Sequence, residues 1–137
     1  MTNNLESDNQ KHYLRSCMNR KIIGVDFDDT LATSEVYPII GEPIQEVIDY
    51  VKNEQRKGAY LILITMREGK VLDEAVKWCR KHGLKFDAVN DNIDFRKEYF
   101  ENNPRKIFCH EYIDDRNVGG IEFILQELKR KREESND

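Results

Sequence analysis

The chain carries a short acidic segment, Asp26-Phe27-Asp28-Asp29-Thr30, directly after an apolar one. Two carboxylates separated by one residue can do different work, because one can attack an electrophile while the other acts as general acid and then as base. Phosphoryl transfer suits such a pair, since it depends mainly on positioning and on neutralising charge. The spacing of Asp26 and Asp28 therefore points to chemistry on a phosphate group.

A phosphate site built only of carboxylates would repel its substrate, so this pattern also requires a hard divalent cation. Mg²⁺ takes oxygen ligands, usually one or two carboxylates together with water and phosphate oxygens. Asp114 and Asp115 supply two more carboxylates further along the chain. Thr65 offers a hydroxyl donor to a phosphate oxygen, and Lys106 or its neighbour Arg105 offers a cation that offsets the negative charge.

Apolar segments typical of buried strands alternate with amphipathic segments typical of helices. Strands are predicted over residues 22–25, 60–64, 86–89 and 111–113. Helices are predicted where apolar residues recur at intervals of three and four, over residues 44–51, 71–79 and 121–128. Residues 90–104 are polar and irregular, with room for one short helical turn.

This alternation predicts a three-layer α/β/α sandwich around a mainly parallel, Rossmann-like sheet, because the strands are continuous apolar runs that need cover on both faces. In such sheets ligands bind beyond the carboxyl ends of the strands. Asp26, Thr65 and the Asp114-Asp115 pair each follow a predicted strand. We therefore expect these residues, distant in sequence, to meet at one edge of the sheet.

Length and composition limit the alternatives. With 137 residues the chain predicts one domain, which we place at residues 20–131 between a flexible leader (1–19) and a charged tail (132–137). A net charge of −4 disfavours nucleic-acid binding, which usually shows as a basic patch, although a local patch is compatible with a negative total. The three cysteines are odd in number, widely spaced and without a CxxC pair, which argues against disulfides and a zinc site.

The sequence contains neither a long apolar run nor a secretion signal. A membrane span needs a run of about 18 apolar residues, and the chain has none. Its first ten residues are polar and lack the apolar core of a signal peptide. We therefore expect a cytosolic protein.

Taken together, the motifs resemble those of the haloacid dehalogenase superfamily of phosphohydrolases, over roughly residues 21–128. The first motif is matched by Asp26-x-Asp28-x-Thr30 after an apolar strand, and the second by Thr65 at the end of the next strand. Lys106, eight residues before Asp114, is similar to the basic third motif, and Asp114-Asp115 to the fourth. Four motifs in this order, each at a predicted strand end, are more specific than any one of them.

The resemblance implies a role for each motif residue. Asp26 would form an aspartyl-phosphate, and Asp28 would protonate the leaving group and then activate water. A Mg²⁺ ion would be held by Asp26, the backbone carbonyl of Asp28 and Asp114, with Asp115 as a supporting or alternative ligand. Thr65 and Lys106 would bind phosphate, and Thr30 would stabilise the loop after the nucleophile. The dehalogenases of the superfamily lack the second aspartate, so Asp28 favours phosphate chemistry.

A closer resemblance is to small capless hydrolases of bacteria and phages. It rests on Ile40-Gly41-Glu42-Pro43-Ile44, Thr65-Met66-Arg67-Glu68-Gly69 and Ile113-Asp114-Asp115-Arg116-Asn117. The two cap insertion points, residues 31–42 and 85–103, are too short to hold a core of their own. The site should therefore be open, either to a phosphorylated macromolecule or, covered by a second subunit, to a phosphorylated small molecule.

Two other functions compete with a phosphatase. One is a non-catalytic phosphate- or metal-binding regulatory module, which the presence of Asp26, Asp28, Thr65 and Asp114 disfavours. The other is a receiver-type signalling domain, where paired acids come first without the DxDxT pattern. Arg67 has two interpretations: it could contact a substrate or form a surface ion pair.

Overall fold

The computed structural model describes residues 2–135, with side chains described from residue 7 onward. Five helices and four strands follow in the order α1 (Thr2–Cys17), β1 (Ile22–Val25), α2 (Gln45–Arg56), β2 (Tyr60–Leu63), α3 (Gly69–Lys81), β3 (Ala88–Val89), α4 (Asp94–Phe100), β4 (Glu111–Ile113) and α5 (Gly120–Ser135). The predicted mixture of strands and helices is confirmed, and each predicted helix is present and runs further toward its carboxyl end than predicted.

The four strands form one parallel sheet in the order β3-β2-β1-β4. The chain moves outward from β1 through β2 to β3, and then returns across the sheet to place β4 on the other side of β1. The carboxyl ends of β1 and β4 therefore flank the point where the strand order reverses. In open α/β sheets this reversal is where ligands bind.

Helices cover both faces of the sheet, as the continuous apolar strands require. Alternate residues of β1 point to opposite faces, so that Ile23 and Val25 pack with α2, α3 and α5, whereas Ile22 packs with α1 and α4. The fold is thus the three-layer α/β/α arrangement that the sequence predicted.

The prediction of a flexible leader over residues 1–19 is wrong for the part that the structure describes. Thr2–Cys17 is helical, and Leu14 is 4% exposed in the apolar cluster that also holds Phe95 of α4. Cys17 and Met18 pack against the same cluster. Cys17 and Met18 follow Leu14 by three and four positions, which is too short an apolar stripe to stand out in a polar segment.

The other end also differs from its predicted tail. Helix α5 runs through the charged residues as far as Ser135, where Arg130 pairs with Glu127 and Glu134 on its own surface. Residues 136–137 of the predicted tail lie outside the described residues. Between residues 90 and 104 the possible helical turn is the seven-residue helix α4.

Two further expectations concern cysteines and membranes. Cys17, Cys79 and Cys109 are free thiols, and burial raises the pKa of Cys79 and of Cys109 to about 12, which makes both poor nucleophiles. Within residues 2–135 no helix combines the length and the apolar character that crossing a membrane requires.

Candidate active site

The carboxyl ends of three strands bring the predicted residues to one edge of the sheet. The strand ladder continues one residue beyond β1 and β2, through hydrogen bonds from Asp26 N–H to the Ile113 carbonyl (2.9 Å) and from Ile64 N–H to the Val25 carbonyl (2.9 Å). Asp26 and the residue after Ile113, Asp114, therefore lie on adjacent strands, as the sequence predicted.

Three carboxylates converge at this edge. Asp26, Asp114 and Asp115 each present one oxygen, and these oxygens lie within 4.8 Å of one another. The hydroxyl of Thr30, which is fully buried, lies 3.3 Å from a carboxylate oxygen of Asp26 and 3.1 Å from one of Asp115. The same hydroxyl oxygen accepts a hydrogen bond from the Asp115 N–H (3.0 Å). Thr30 thus ties the loop after β1 to the loop after β4.

The electrostatics of this cluster make three full negative charges costly. Burial raises the pKa of Asp26 to about 7, and a hydrogen bond with Asp115 and the negative charge of Asp114 act in the same direction. Like charges held this close are costly unless a proton or a cation lies between them. The donor set consists of carboxylate oxygens, which is the set that Mg²⁺ prefers. The residues present therefore fit the ion that the sequence motifs implied.

The loop after β1 is built to bring its acidic residues back to the sheet. The Phe27 carbonyl accepts hydrogen bonds from three successive N–H groups, those of residues 30–32, which closes a tight turn. Asp29 within that turn has a φ of 62°, a left-handed conformation that Asp tolerates better than most residues. Its carboxylate accepts a hydrogen bond from the Ser34 N–H (2.8 Å), so Asp29 shapes the loop and faces away from the cluster.

The Asp28 carboxylate pairs with Arg67 and is not part of the group formed by Asp26, Asp114 and Asp115. Its two oxygens accept hydrogen bonds from Nε and Nη2 of Arg67, both at 2.9 Å. The side chain therefore does not join the three-carboxylate group, and only its backbone carbonyl is left as the predicted metal ligand. For Arg67, neither sequence interpretation holds: it is 1% exposed, so it neither forms a surface ion pair nor reaches a substrate.

Thr65 lies just beyond β2 at the carboxyl edge of the sheet, and Asn90 holds its backbone there. The Asn90 amide forms a matched pair of hydrogen bonds with the Thr65 backbone, one to its N–H (2.8 Å) and one to its carbonyl (2.9 Å). The Thr65 hydroxyl accepts from the Arg67 N–H (3.1 Å), which leaves its own proton free to donate to a phosphate oxygen.

A cavity of about 360 Å³ opens beside the cluster. Two carboxylates of the cluster, Asp26 and Asp114, and the two candidate basic residues, Arg105 and Lys106, line it. The rest of its wall is formed by Gly24, Ile64, Ile107, Tyr112, Ile113 and Asn117. Lys106 and Arg105 both line it, so the geometry admits either as the basic residue. Gly24 lies beneath Asp26, where a Cβ atom would come within 2.6 Å of the Cys109 sulfur.

The segment that carries the two cations is held by a residue that sequence analysis missed. Asn92, only 4% exposed, donates from its amide to the carbonyls of Pro104 (3.1 Å) and Lys106 (3.3 Å) and accepts from the Phe108 N–H (2.8 Å). Asn90 and Asn92 follow the predicted third strand in a polar stretch. Their position after a strand was the only signal that could have singled them out.

Fold and site together define a three-layer α/β/α protein with an acidic site at the switch point of its sheet. No protein-family model matches the sequence, and no curated protein matches it. A solved structure of a conserved protein from Bacteroides thetaiotaomicron is similar, with 41% sequence identity and a TM-score of 0.67 over 82% of this chain and 93% of that one. The chain therefore belongs to the same family as this Bacteroides protein, whose description states no activity.

Proposed function

We propose that the protein is a Mg²⁺-dependent phosphomonoester hydrolase that acts through an aspartyl-phosphate on Asp26. The observation that carries this proposal is the convergence of Asp26, Asp114 and Asp115 within 4.8 Å at the switch point of the sheet. Lys106 and Arg105 line the same cavity as Asp26 and Asp114, Thr65 follows β2 at the same edge of the sheet, and Asp28 is two residues from Asp26 in the chain. This is a nucleophile and metal set with the groups that a phosphate needs nearby.

In the proposed reaction a carboxylate oxygen of Asp26 attacks phosphorus, and the bond from phosphorus to the ester oxygen breaks. Asp28, which must carry a proton when this step begins, gives that proton to the departing alkoxide. Asp28 then takes a proton from water as that water attacks phosphorus, which releases inorganic phosphate and restores the Asp26 carboxylate. Thr65 and the neighbouring cation hold the phosphate oxygens during both displacements.

Asp26 and Asp114 would hold the metal through carboxylate oxygens, with Asp115 supporting them. A bound Mg²⁺ neutralises charge on the cluster and on the phosphate, so that an anionic nucleophile can approach an anionic substrate. Thr30 keeps Asp26 and Asp115 in register by contacting both.

The substrate is a phosphorylated metabolite, such as a nucleotide or a sugar phosphate, or a phosphorylated macromolecule. Residues 31–42 and 85–103 form no separate cap domain, and the cavity beside the cluster opens to the surface. The protein is proposed to act in the cytosol, alone or with a second copy covering the site.

Turnover of p-nitrophenyl phosphate with and without metal tests the proposal. Chelation should stop turnover, and Mg²⁺ should restore it better than Ca²⁺, whose larger and looser coordination shell misplaces the attacking oxygen. A panel of phosphorylated metabolites, assayed by phosphate release, then identifies the substrate.

Two results would contradict the proposal. Full activity in excess chelator would show that no metal takes part. Mg²⁺ binding without turnover of any compound in the panel would favour a non-catalytic metal-binding module instead.

A further inference from the structure

The charged group buried most completely at the candidate site is the guanidinium of Arg67. Its side chain is 0% exposed, whereas that of its partner Asp28 is 24% exposed. A buried charge needs a full set of partners, because each unpaired N–H away from water is costly. Arg67 makes four such hydrogen bonds, two to Asp28 and one each to the Val71 and Pro38 carbonyls.

These contacts join the connection between β1 and α2 to the start of α3. Asp28 and Pro38 both belong to that connection, and Val71 lies in the first turn of α3. The guanidinium carbon also lies about 5 Å from the ring centroids of Phe27 (5.0 Å) and Tyr37 (5.1 Å). The planar group is thereby held in both position and orientation.

The two partners of this ion pair differ in their exposure to solvent. Arg67 is enclosed and cannot reach a substrate, while the Asp28 carboxylate stays partly open to solvent. Each carboxylate oxygen has two acceptor positions, and the fork of Arg67 occupies one on each. The remaining positions are free for a proton from water or for contact with a leaving group.

We propose that Arg67 is a positioning residue, which fixes the Asp28 carboxylate for proton transfer and ties its orientation to the loop that carries Pro38. This inference rests on the proposed phosphohydrolase function and assigns the residue that makes Asp28 effective within it. A proton-transfer group must lie within hydrogen-bond reach of its proton. A freely rotating Asp28 would spend little of its time there.

A double-mutant cycle between Arg67 and Asp28 tests the proposal. The four proteins are the wild type, Arg67→Met, Asp28→Asn and the double variant, each with Mg²⁺ on p-nitrophenyl phosphate and on glycerol 2-phosphate. Arg67→Met should lower kcat by about tenfold or more on both substrates, with a smaller change in KM, because water attack on the aspartyl-phosphate needs a positioned base. In the Asp28→Asn background the same change should cost less than about twofold, because the group it positions is already gone.

Two further variants control for folding. Arg67→Lys keeps the charge but cannot form the two-point contact, so it should recover only part of the activity. Lys131→Met removes a more exposed ion pair, with Glu111 at the opposite edge of the sheet, and should leave kcat unchanged. Thermal unfolding of each variant shows that the assays compare folded proteins.

The outcomes are separable. Equal losses from Arg67→Met in both backgrounds would assign Arg67 a structural role only and overturn the proposal, as would a loss confined to KM. An active wild type with an unaffected Arg67→Met variant would overturn this inference and leave the phosphatase proposal standing. A wild type inactive on every phosphate ester would overturn both.

Discussion

At the scale of single residues, the two adjacent aspartates after β4 have different surroundings. Asp114 lines the cavity together with Asp26, whereas Asp115 does not. Asp115 instead lies against the buried Thr30 hydroxyl, with hydrogen bonds at its carboxylate (3.1 Å) and at its backbone N–H (3.0 Å). Asp114 is thus the better placed of the two to bind a metal directly.

We predict that Asp114→Asn weakens Mg²⁺ binding more than Asp115→Asn does. Loss of a direct ligand should raise the Kd for Mg²⁺ more than about 100-fold, while loss of a supporting group should cost about tenfold. Titration calorimetry with MgCl₂ on both variants and on the wild type measures this difference. The reverse ranking would exchange the two roles, and two unchanged affinities would contradict a metal site in this cluster.

At the scale of elements, the amino edge of the sheet is held together by a charged network centred on Glu111. Its carboxylate accepts hydrogen bonds from Lys21 before β1 (3.2 Å), from Tyr50 of α2 (2.6 Å) and from Lys131 of α5 (2.6 Å). Burial alone would raise the pKa of Glu111, but the hydrogen bonds from Lys131 and Tyr50 and the charge of Lys21 outweigh it and lower the pKa. This edge stabilises the fold while the opposite edge carries the site.

We predict that this network makes stability depend on pH in a defined direction. Because the pKa of Glu111 is lower in the folded protein than its ordinary value of 4.5, its stabilising effect is complete above that value. The effect is lost as the pH falls through the lower pKa of the folded state. Glu111→Gln should therefore reduce the free energy of unfolding by about 1–2 kcal/mol at neutral pH, and by less in acid.

Urea unfolding of the wild type and of Glu111→Gln at several pH values measures that difference. Glu127→Gln, which removes an exposed ion pair with Arg130 on α5, is the matched control and should change stability much less than Glu111→Gln does. A difference between wild type and Glu111→Gln that stays constant down to strong acid would contradict this account of the network.

Some of these elements could be predicted from the sequence, and others could not. The strands at Ile22–Val25 and Tyr60–Leu63 are continuous apolar runs that a parallel sheet requires, so their pattern is unambiguous. Helix α1 is held by few apolar residues, chiefly Leu14, and its sequence alone looks like a polar leader. Its order comes from packing on α4, which periodicity does not reveal.

The site shows the same division. Asp26, Thr65 and Asp114 were predictable because a strand end fixes where each residue lies. The orientation of Asp28 was not, because it depends on Arg67, 39 residues away, and on the burial of that arginine. Contacts between side chains of separate loops leave no periodic trace in a sequence.

At the scale of the whole molecule, the two edges of one small sheet differ: the amino edge carries the Glu111 network, and the carboxyl edge carries the carboxylate cluster. The β1–β4 pair brings Asp26 to Asp114 at the carboxyl edge, and Thr30 and Arg67 fasten the loops around them. No cap domain covers the site within residues 2–135, so access depends on short loops alone. We propose that Asp26 of this open site attacks phosphorus.

The most direct test is the kcat of Asp26→Asn on p-nitrophenyl phosphate at saturating Mg²⁺. An amide cannot act as the nucleophile, so the account predicts a loss of at least about 10³-fold, or about 4 kcal/mol of activation free energy. Asp29→Asn is the matched control in the same loop, since its side chain only accepts a hydrogen bond from Ser34, and it should retain wild-type turnover. An Asp26→Asn variant that keeps more than about a tenth of the wild-type kcat, about 1.4 kcal/mol, would contradict the claim.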